Sequence, residues 1–165
     1  MRTVLDVASN AEGVVILNAA PAKEQPAGLL DHIDVLIVNE HEVRELSDGT
    51  DPTSVRMLDA ATVVTTLGAA GAQVVTGSDV GFVEPPDVSV RDTTGAGDTF
   101  CGVFAAAIDS GCDVFEATAR GVVAGSLATQ GIGARTAMPA LGQLEEVLGS
   151  KRTQRSMRTH ERGQE

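Results

Sequence analysis

The segment Asp92-Thr93-Thr94-Gly95-Ala96-Gly97-Asp98-Thr99-Phe100 carries the most chemistry in the chain, because it places small residues and an acid where a loop turns into a helix. The backbone N–H groups of Gly95, Ala96 and Gly97 are expected to be unpaired at that helix start. Together with the helix dipole they form an anion site suited to phosphate oxygens. Glycine lets a ligand approach the main chain closely. Asp98, in the first turn, is placed to take a proton from an attacking hydroxyl while those amides stabilise charge on a transferred phosphoryl group. A plainer alternative is that Asp98 only favours the helix dipole and the glycines only make a turn.

Two further segments combine polar groups with turn residues. Asn39 and Glu42 follow the apolar run Ile33 to Val38, so they stand at the carboxyl end of an expected parallel strand, where open α/β sheets bind ligands. The same pair also reads as a helix cap with an acidic first turn. Thr66-Leu67-Gly68-Ala69-Ala70-Gly71 offers a hydroxyl beside close-approach glycines, or simply a tight turn between two strands. His32, His41 and His160 show no metal-ligand spacing with Cys101 or Cys112, which speaks against zinc. Cys101 lies one turn beyond Asp98 and reads as a packed thiol of a helix interface.

The elements that must position these groups follow from periodicity. Val14 to Leu17 and Ile33 to Val38 are continuous apolar runs of the kind buried on both faces of a parallel sheet, and Lys23 to His32 is long enough for a short crossover helix. Glu40 to Leu46 reads as a helix stopped by Ser47-Asp48-Gly49. A further helix is expected from Thr53 to Ala60, before a third strand, Thr62 to Leu67. This alternation implies parallel strands with right-handed crossovers. Gln73 to Thr76, Gly81 to Val83 and Val88 to Arg91 read as an antiparallel extension. From Asp98 onward, Phe100, Val103, Phe104, Ala107 and Ile108 share one helical face until Gly111. Asp113 and Glu116 form a possible capping box for a second helix with a Gly121, Ala124, Gly125, Ala128 stripe, and Pro139 opens a last helix ending at Gly149.

Composition narrows the classes of function. The 165 residues suffice for one domain with a buried core. The net charge of −11 is uneven: residues 151–165 hold five Lys/Arg against two Glu, so residues 1–150 carry −14 and residues 151–165 read as a disordered polar tail. An acidic body with four Phe and neither Trp nor Tyr disfavours nucleic acid, on charge and for want of stacking surfaces. No apolar run approaches the roughly 20 residues that span a bilayer, and no signal-peptide core follows Met1. With two cysteines read as reduced thiols, a soluble cytoplasmic protein without a membrane partner is expected.

Taken together, four ordered blocks resemble the signature of the ribokinase/PfkB carbohydrate kinase family over roughly residues 14 to 148. Asn18-Ala19-Ala20-Pro21-Ala22 resembles its Asn-Pro-Ala-Pro-Ala, Asn39-Glu40-His41-Glu42 its Asn-x-x-Glu, Thr66 to Gly71 its Thr-x-Gly-x-x-Gly, and Asp92 to Asp98 its Asp-Thr-x-Gly-Ala-Gly-Asp. The resemblance implies a three-layer α/β fold: a parallel sheet flanked by helices, incomplete at the N-terminal side, with a short antiparallel extension. It implies phosphoryl transfer from ATP to a sugar hydroxyl, D-ribose first. In it, Asp98 is the base, Gly95, Ala96 and Gly97 the anion hole, and Thr66, Gly68, Ala69, Ala70 and Gly71 contact the nucleotide together with Asn39. Asn39 and Glu42 would order Mg2+ through water, a role that a carboxylate and an amide can fill. Asp92, Thr94, Ala128, Gly133 and Ala137 correspond to the family's site for a monovalent cation such as K+. Residues 1 to 13 match nothing of the family's sugar-binding half. The expectation is therefore the nucleotide-binding and catalytic portion of such an enzyme, a homo-oligomer or one whose sugar-binding half comes from another chain; the alternative is a non-catalytic nucleotide-binding module.

Overall fold

The computed structural model describes residues 2–21, 26–46 and 60–150. They fall into two compact units, Met1–Glu84 and Pro85–Glu165.

The first unit is α/β. It runs α1 (Arg2–Ser9), β1 (Ile16–Asn18), a 3-10 turn (Leu30–His32), β2 (Val35–Asn39), α2 (Glu40–Leu46), β3 (Thr62–Thr66), a 3-10 turn (Gly68–Ala70), β4 (Ala72–Thr76) and β5 (Asp79–Val83). These strands make one five-stranded sheet in the order β1-β2-β3-β4-β5. The pairings β1–β2 and β2–β3 are parallel, while β3–β4 and β4–β5 are antiparallel. Four successive residues of β2, Val35 to Val38, are buried, as a strand enclosed on both faces requires. Leu36, Val38, Val63 and Val75 pack with Ala8 of α1, Val43 of α2, and Leu29 and Ile33 from the β1–β2 connection into one apolar cluster.

The parallel strands and their antiparallel extension match the expected sheet, with three differences. Helix α1 was not legible in the sequence; its Leu5 and Ala8 belong to the core. The described part of the β1–β2 connection holds one 3-10 turn at Leu30–His32 where a crossover helix over Lys23 to His32 is expected. Parallel neighbours need a crossover of about a dozen residues or more, usually but not always helical, and residues 22–25, with Ala22, lie outside the described residues. Val88 to Arg91 is not a strand: Arg91 and Asp92 donate their N–H groups to the Thr129 carbonyl at 2.8 and 3.1 Å instead of to a sheet neighbour. The stop at Ser47-Asp48-Gly49, the Thr53 helix short of Ala60, and residues 151–165 also lie outside the described residues.

The second unit is helical: α3 (Ala96–Asp109), α4 (Val114–Ala128) and α5, residues 141–150. Phe100, Phe104 and Ala107 of α3 are buried as the periodicity predicts, with the two rings stacked 6.1 Å apart. Helix α4 meets α3 through glycines, since a Cβ at Gly121 would stand 2.9 Å from the Phe100 ring and one at Gly125 would stand 3.1 Å from the Ala96 carbonyl oxygen. Gly111, at φ 86°, ends α3. The Asp113 carboxylate caps α4 by accepting the Glu116 N–H at 2.8 Å. Val123, Ala124 and Leu144 bind α4 to α5, and Arg120 donates to Glu145 at 2.7 Å along the same seam. Pro139 precedes the α5 start, where Gln143 accepts the Ala140 N–H at 2.9 Å, and α5 continues through Gly149 instead of ending there. Among the described residues no helix is long and apolar enough to cross a membrane.

Candidate active site

In the first unit the polar blocks gather at the carboxyl ends of the parallel strands. Asn39 and Thr66 are Cα partners at the last rung between β2 and β3. Asn18 ends β1 two rungs behind them, opposite Ile37; the Ala19 N–H bonds the Ile37 carbonyl at 3.0 Å, and the Ala20–Pro21 peptide that follows is cis. The Asn39 Oδ1 accepts the N–H groups of His41 and Glu42, both at 2.9 Å. Glu42 reaches back, its Oε2 accepting the Asn39 N–H at 2.8 Å. This is a reciprocal capping box at the start of α2, and it holds Glu42 at 5% exposure. The Thr66 hydroxyl points along the strand end and donates to the Val38 carbonyl at 3.4 Å.

The Thr66 to Gly71 block is the β3–β4 turn. The Leu67 N–H bonds the Gly71 carbonyl at 2.8 Å, and Gly68 and Gly71 take φ of 54° and 94°. Gly68, Ala69 and Ala70 are exposed at its tip. Asn39 Oδ1 and Glu42 Oε2 are engaged by the backbone N–H groups of residues 39, 41 and 42, so the pair suits a hard cation through water. Among the described residues no three His, Cys, Asp or Glu side chains cluster as a metal site.

In the second unit the glycine-rich block does open a helix. Gly95 is the N-cap of α3 at φ 78° and ψ 3°, and no side chain caps that helix start. The N–H groups of Gly95, Gly97 and Asp98 make no hydrogen bond with the described residues. Ala96 differs from expectation: its N–H is turned back to the Thr93 carbonyl at 3.2 Å, so the open donors are those of Gly95, Gly97 and Asp98. The Asp98 side chain and Gly97 are exposed, and a Cβ at Gly97 would meet nothing within 4 Å. Unclaimed amides, the positive end of a 14-residue helix and open space fit a phosphate group.

The residues expected around a monovalent cation are brought together behind this turn. Asp92 accepts the Thr94 N–H on Oδ1 and the Gly133 N–H on Oδ2, each at 2.9 Å. The Thr94 hydroxyl, then the N–H groups of Gly133 and Thr94, hold the Asp92 carboxyl at about 2, below its ordinary 3.8. The Gly133 carbonyl accepts the Ala137 N–H at 3.2 Å, and the Ala128 carbonyl accepts the Gly131 N–H at 3.3 Å. Gly131 bridges the set, because a Cβ there would stand 2.6 Å from the Ala137 Cβ. The Asp92 carboxylate, together with backbone carbonyls such as those of Ala128 and Gly133, is a donor set of the kind that suits a monovalent cation.

Two residues of this region have no role in the sequence reading. Thr99 donates its hydroxyl to the Gly95 carbonyl at 2.8 Å, alongside its own N–H at 2.9 Å. Ala134 lies where a Gly95 side chain would be, 2.7 Å from the Cβ that Gly95 lacks. The i, i+4 spacing from Gly95 could have flagged Thr99. Nothing local flags Ala134, whose approach is made by the fold.

An uncapped, glycine-opened helix with an acid in its first turn can receive an anion, and comparison with known proteins gives the family. The pfkB family carbohydrate kinase profile matches residues 1–141. The chain belongs to the pfkB family of carbohydrate kinases. It is similar to a ribokinase of Bacillus subtilis strain 168, 35% identical over 134 residues, a match covering 81% of this chain and 46% of the relative. Among solved structures it is similar to the ribokinase of Thermotoga maritima, with TM-score 0.84 at 29% identity, covering 89% of this chain and 52% of the other. It is also similar to the Arabidopsis thaliana ribokinase complexed with ribose and ATP, with TM-score 0.80 at 31% identity, covering 88% and 52%. The chain thus spans about half the length of the relatives it matches.

Proposed function

We propose that this chain carries the ATP side and the catalytic base of a sugar kinase that transfers the γ-phosphoryl group of ATP to a hydroxyl of a sugar, D-ribose first among candidates. The observation that carries this reading is the α3 start, where three unclaimed amides and the exposed Asp98 sit on one turn. Asp98 takes the proton of the attacking sugar hydroxyl. The sugar oxygen bonds to the γ-phosphorus as the bond from that phosphorus to the β–γ bridging oxygen breaks, and ADP leaves with that oxygen. The N–H groups of Gly95, Gly97 and Asp98 stabilise the negative charge on the transferred group. Thr66 and the Gly68, Ala69, Ala70, Gly71 turn receive the nucleotide. Asn39 and Glu42 would hold the waters of Mg2+, which would neutralise charge on the phosphates. Asp92 and Thr94, with the carbonyls of Ala128, Gly133 and Ala137, would hold K+, which would steady the loop behind the anion site. Because residues 1–150 carry −14, ATP must be held by local amides and cations against an unfavourable overall field.

Ribose is favoured because the relatives named above are ribokinases and one of them is complexed with ribose and ATP. Two further relatives, each 29% identical, are deoxyribokinases, so 2-deoxyribose is a competing substrate. We place residues 1–150 in one ribokinase-like catalytic domain acting in the cytoplasm, with residues 151–165 as a polar tail. The reading is tested by ADP release from the purified chain with ATP, Mg2+, K+ and ribose, 2-deoxyribose, fructose or a nucleoside. Ribose-dependent turnover above the others is expected. ATP binding with no sugar-dependent turnover would overturn the kinase reading for this chain and support a second one, favoured by the half-length match: a nucleotide-binding module that works with a separate sugar-binding half, in a homo-oligomer or with another chain.

A further inference from the structure

The open amides of Gly95, Gly97 and Asp98 point usefully only if the turn that carries them is fixed, and no capping side chain fixes it. Resting on the phosphoryl-transfer reading, we infer that Thr99 and Ala134 are positioning residues that lock the Gly95 turn from two sides and so aim those amides.

The first lock is a hydrogen bond. The Gly95 carbonyl accepts from both the N–H and the hydroxyl of Thr99, at 2.9 and 2.8 Å. At the other end of the same peptide unit, the Ala96 N–H bonds the Thr93 carbonyl at 3.2 Å. The Gly95–Ala96 peptide is therefore pinned at both ends, and the amides on either side of it cannot swing without breaking a bond. Helical threonines often bond the carbonyl four residues back. Here the acceptor is the N-cap residue itself, and Thr99 is only 5% exposed, so water does not compete for the bond.

The second lock is steric. Gly95 holds φ 78°, and the space its side chain would fill is taken by Ala134, whose Cβ and Cα stand 2.7 and 2.8 Å from an ideal Gly95 Cβ. Ala134 is itself held: the preceding Gly133, at φ 85°, donates its N–H to Asp92 at 2.9 Å and accepts from Ala137 at 3.2 Å. A side chain larger than methyl at position 134 must displace the Gly95 turn.

The test uses the full chain, 15N-labelled, with Thr99→Val, Thr99→Ser and Ala134→Val. Without ligand, the Gly95 HN–Hα couplings and the amide shifts of residues 95–98 are expected to change in both valine variants, to stay native in Thr99→Ser, and to leave the capped amide of Glu116 untouched. Native Gly95 couplings in both valine variants would overturn the inference. In calorimetric titrations with inorganic tripolyphosphate, Thr99→Val and Ala134→Val are expected to bind about three- to tenfold more weakly than the native chain, the worth of one hydrogen bond, and Thr99→Ser to bind natively. Equal affinity in all four proteins would also overturn it. A native chain that does not bind tripolyphosphate counts against the phosphoryl-transfer reading, and the ligand-free couplings then decide the positioning roles by themselves. Should Thr99→Val lose the α3 signals altogether, Thr99→Ser and Ala134→Val carry the same decision.

Discussion

Helices α2 and α4 begin with an Asx cap, and α3 does not. At α2, Asn39 takes the N–H groups of His41 and Glu42, and Glu42 returns a bond to Asn39. At α4, Asp113 takes the Glu116 N–H. At α3, a left-handed glycine stands where the cap would be, and the first-turn donors of Gly97 and Asp98 are left open. A cap is worth about 0.5–2 kcal/mol, so α3 forgoes stability that its neighbours keep. The difference teaches that polar residues at a helix start can be there to close the helix, whereas small ones leave it open for a ligand. The proposed anion site is marked by what α3 lacks, and the packing of Thr99 and Ala134 stands where the order of a cap would have been.

The contrast can be broken most forcefully at Gly95. Gly95→Ala forces a side chain into a left-handed conformation, at about 1–2 kcal/mol, and drives its Cβ into Ala134, at about 1–3 kcal/mol more. A loss of several kcal/mol in denaturant unfolding is expected, together with loss of tripolyphosphate binding. The matched change at the closed helix, Asp113→Ala, is expected to cost about 1 kcal/mol and to leave tripolyphosphate binding native. If the two variants affected binding equally, the distinction between open and closed helix starts would fail.

A smaller effect sharpens the same comparison through Asp92. Its folded carboxyl is held near 2 against an ordinary 3.8, so its bonds to Thr94 and Gly133 favour the folded state at pH above about 4, and that contribution is lost as the pH falls through 2. The Gly133 amide resonance should titrate with a midpoint near pH 2, and Asp92→Asn should abolish that step. A midpoint at the ordinary carboxylate value would mean that the clamp behind the Gly95 turn is not made in solution.

The sequence shows the sheet better than its connections. Continuous apolar runs such as Val35 to Val38 reveal strands buried on both faces, and the Phe100, Phe104, Ala107 spacing reveals the buried face of α3. Helix α1 escaped because its short amphipathic pattern follows the chain start, with Val4 and Val7 exposed among the apolar residues. Val88 to Arg91 reads as a strand because an extended run has the same alternation whether it pairs with a strand or, as here, gives its last amide, that of Arg91, to a helix end at Thr129. The candidate site was legible wherever the chemistry lies within a few residues of chain, as in Asp92 to Asp98 and Asn39 to Glu42. Contacts across long stretches of chain were not: Ala134 meets Gly95, and Gly133 meets Asp92, only because α3 and α4 turn the chain back on itself.

The most direct measurement of the central claim, that the open start of α3 transfers a phosphoryl group with Asp98 as base, is ribose-dependent ADP release by the native chain and by Asp98→Asn at equal folded concentration. The exposed Asp98 has no packing role, so the variant is expected to melt at the native temperature and to bind ATP natively while its turnover falls by about 10²–10⁴-fold, the usual share of a general base. Native turnover in Asp98→Asn would contradict the account.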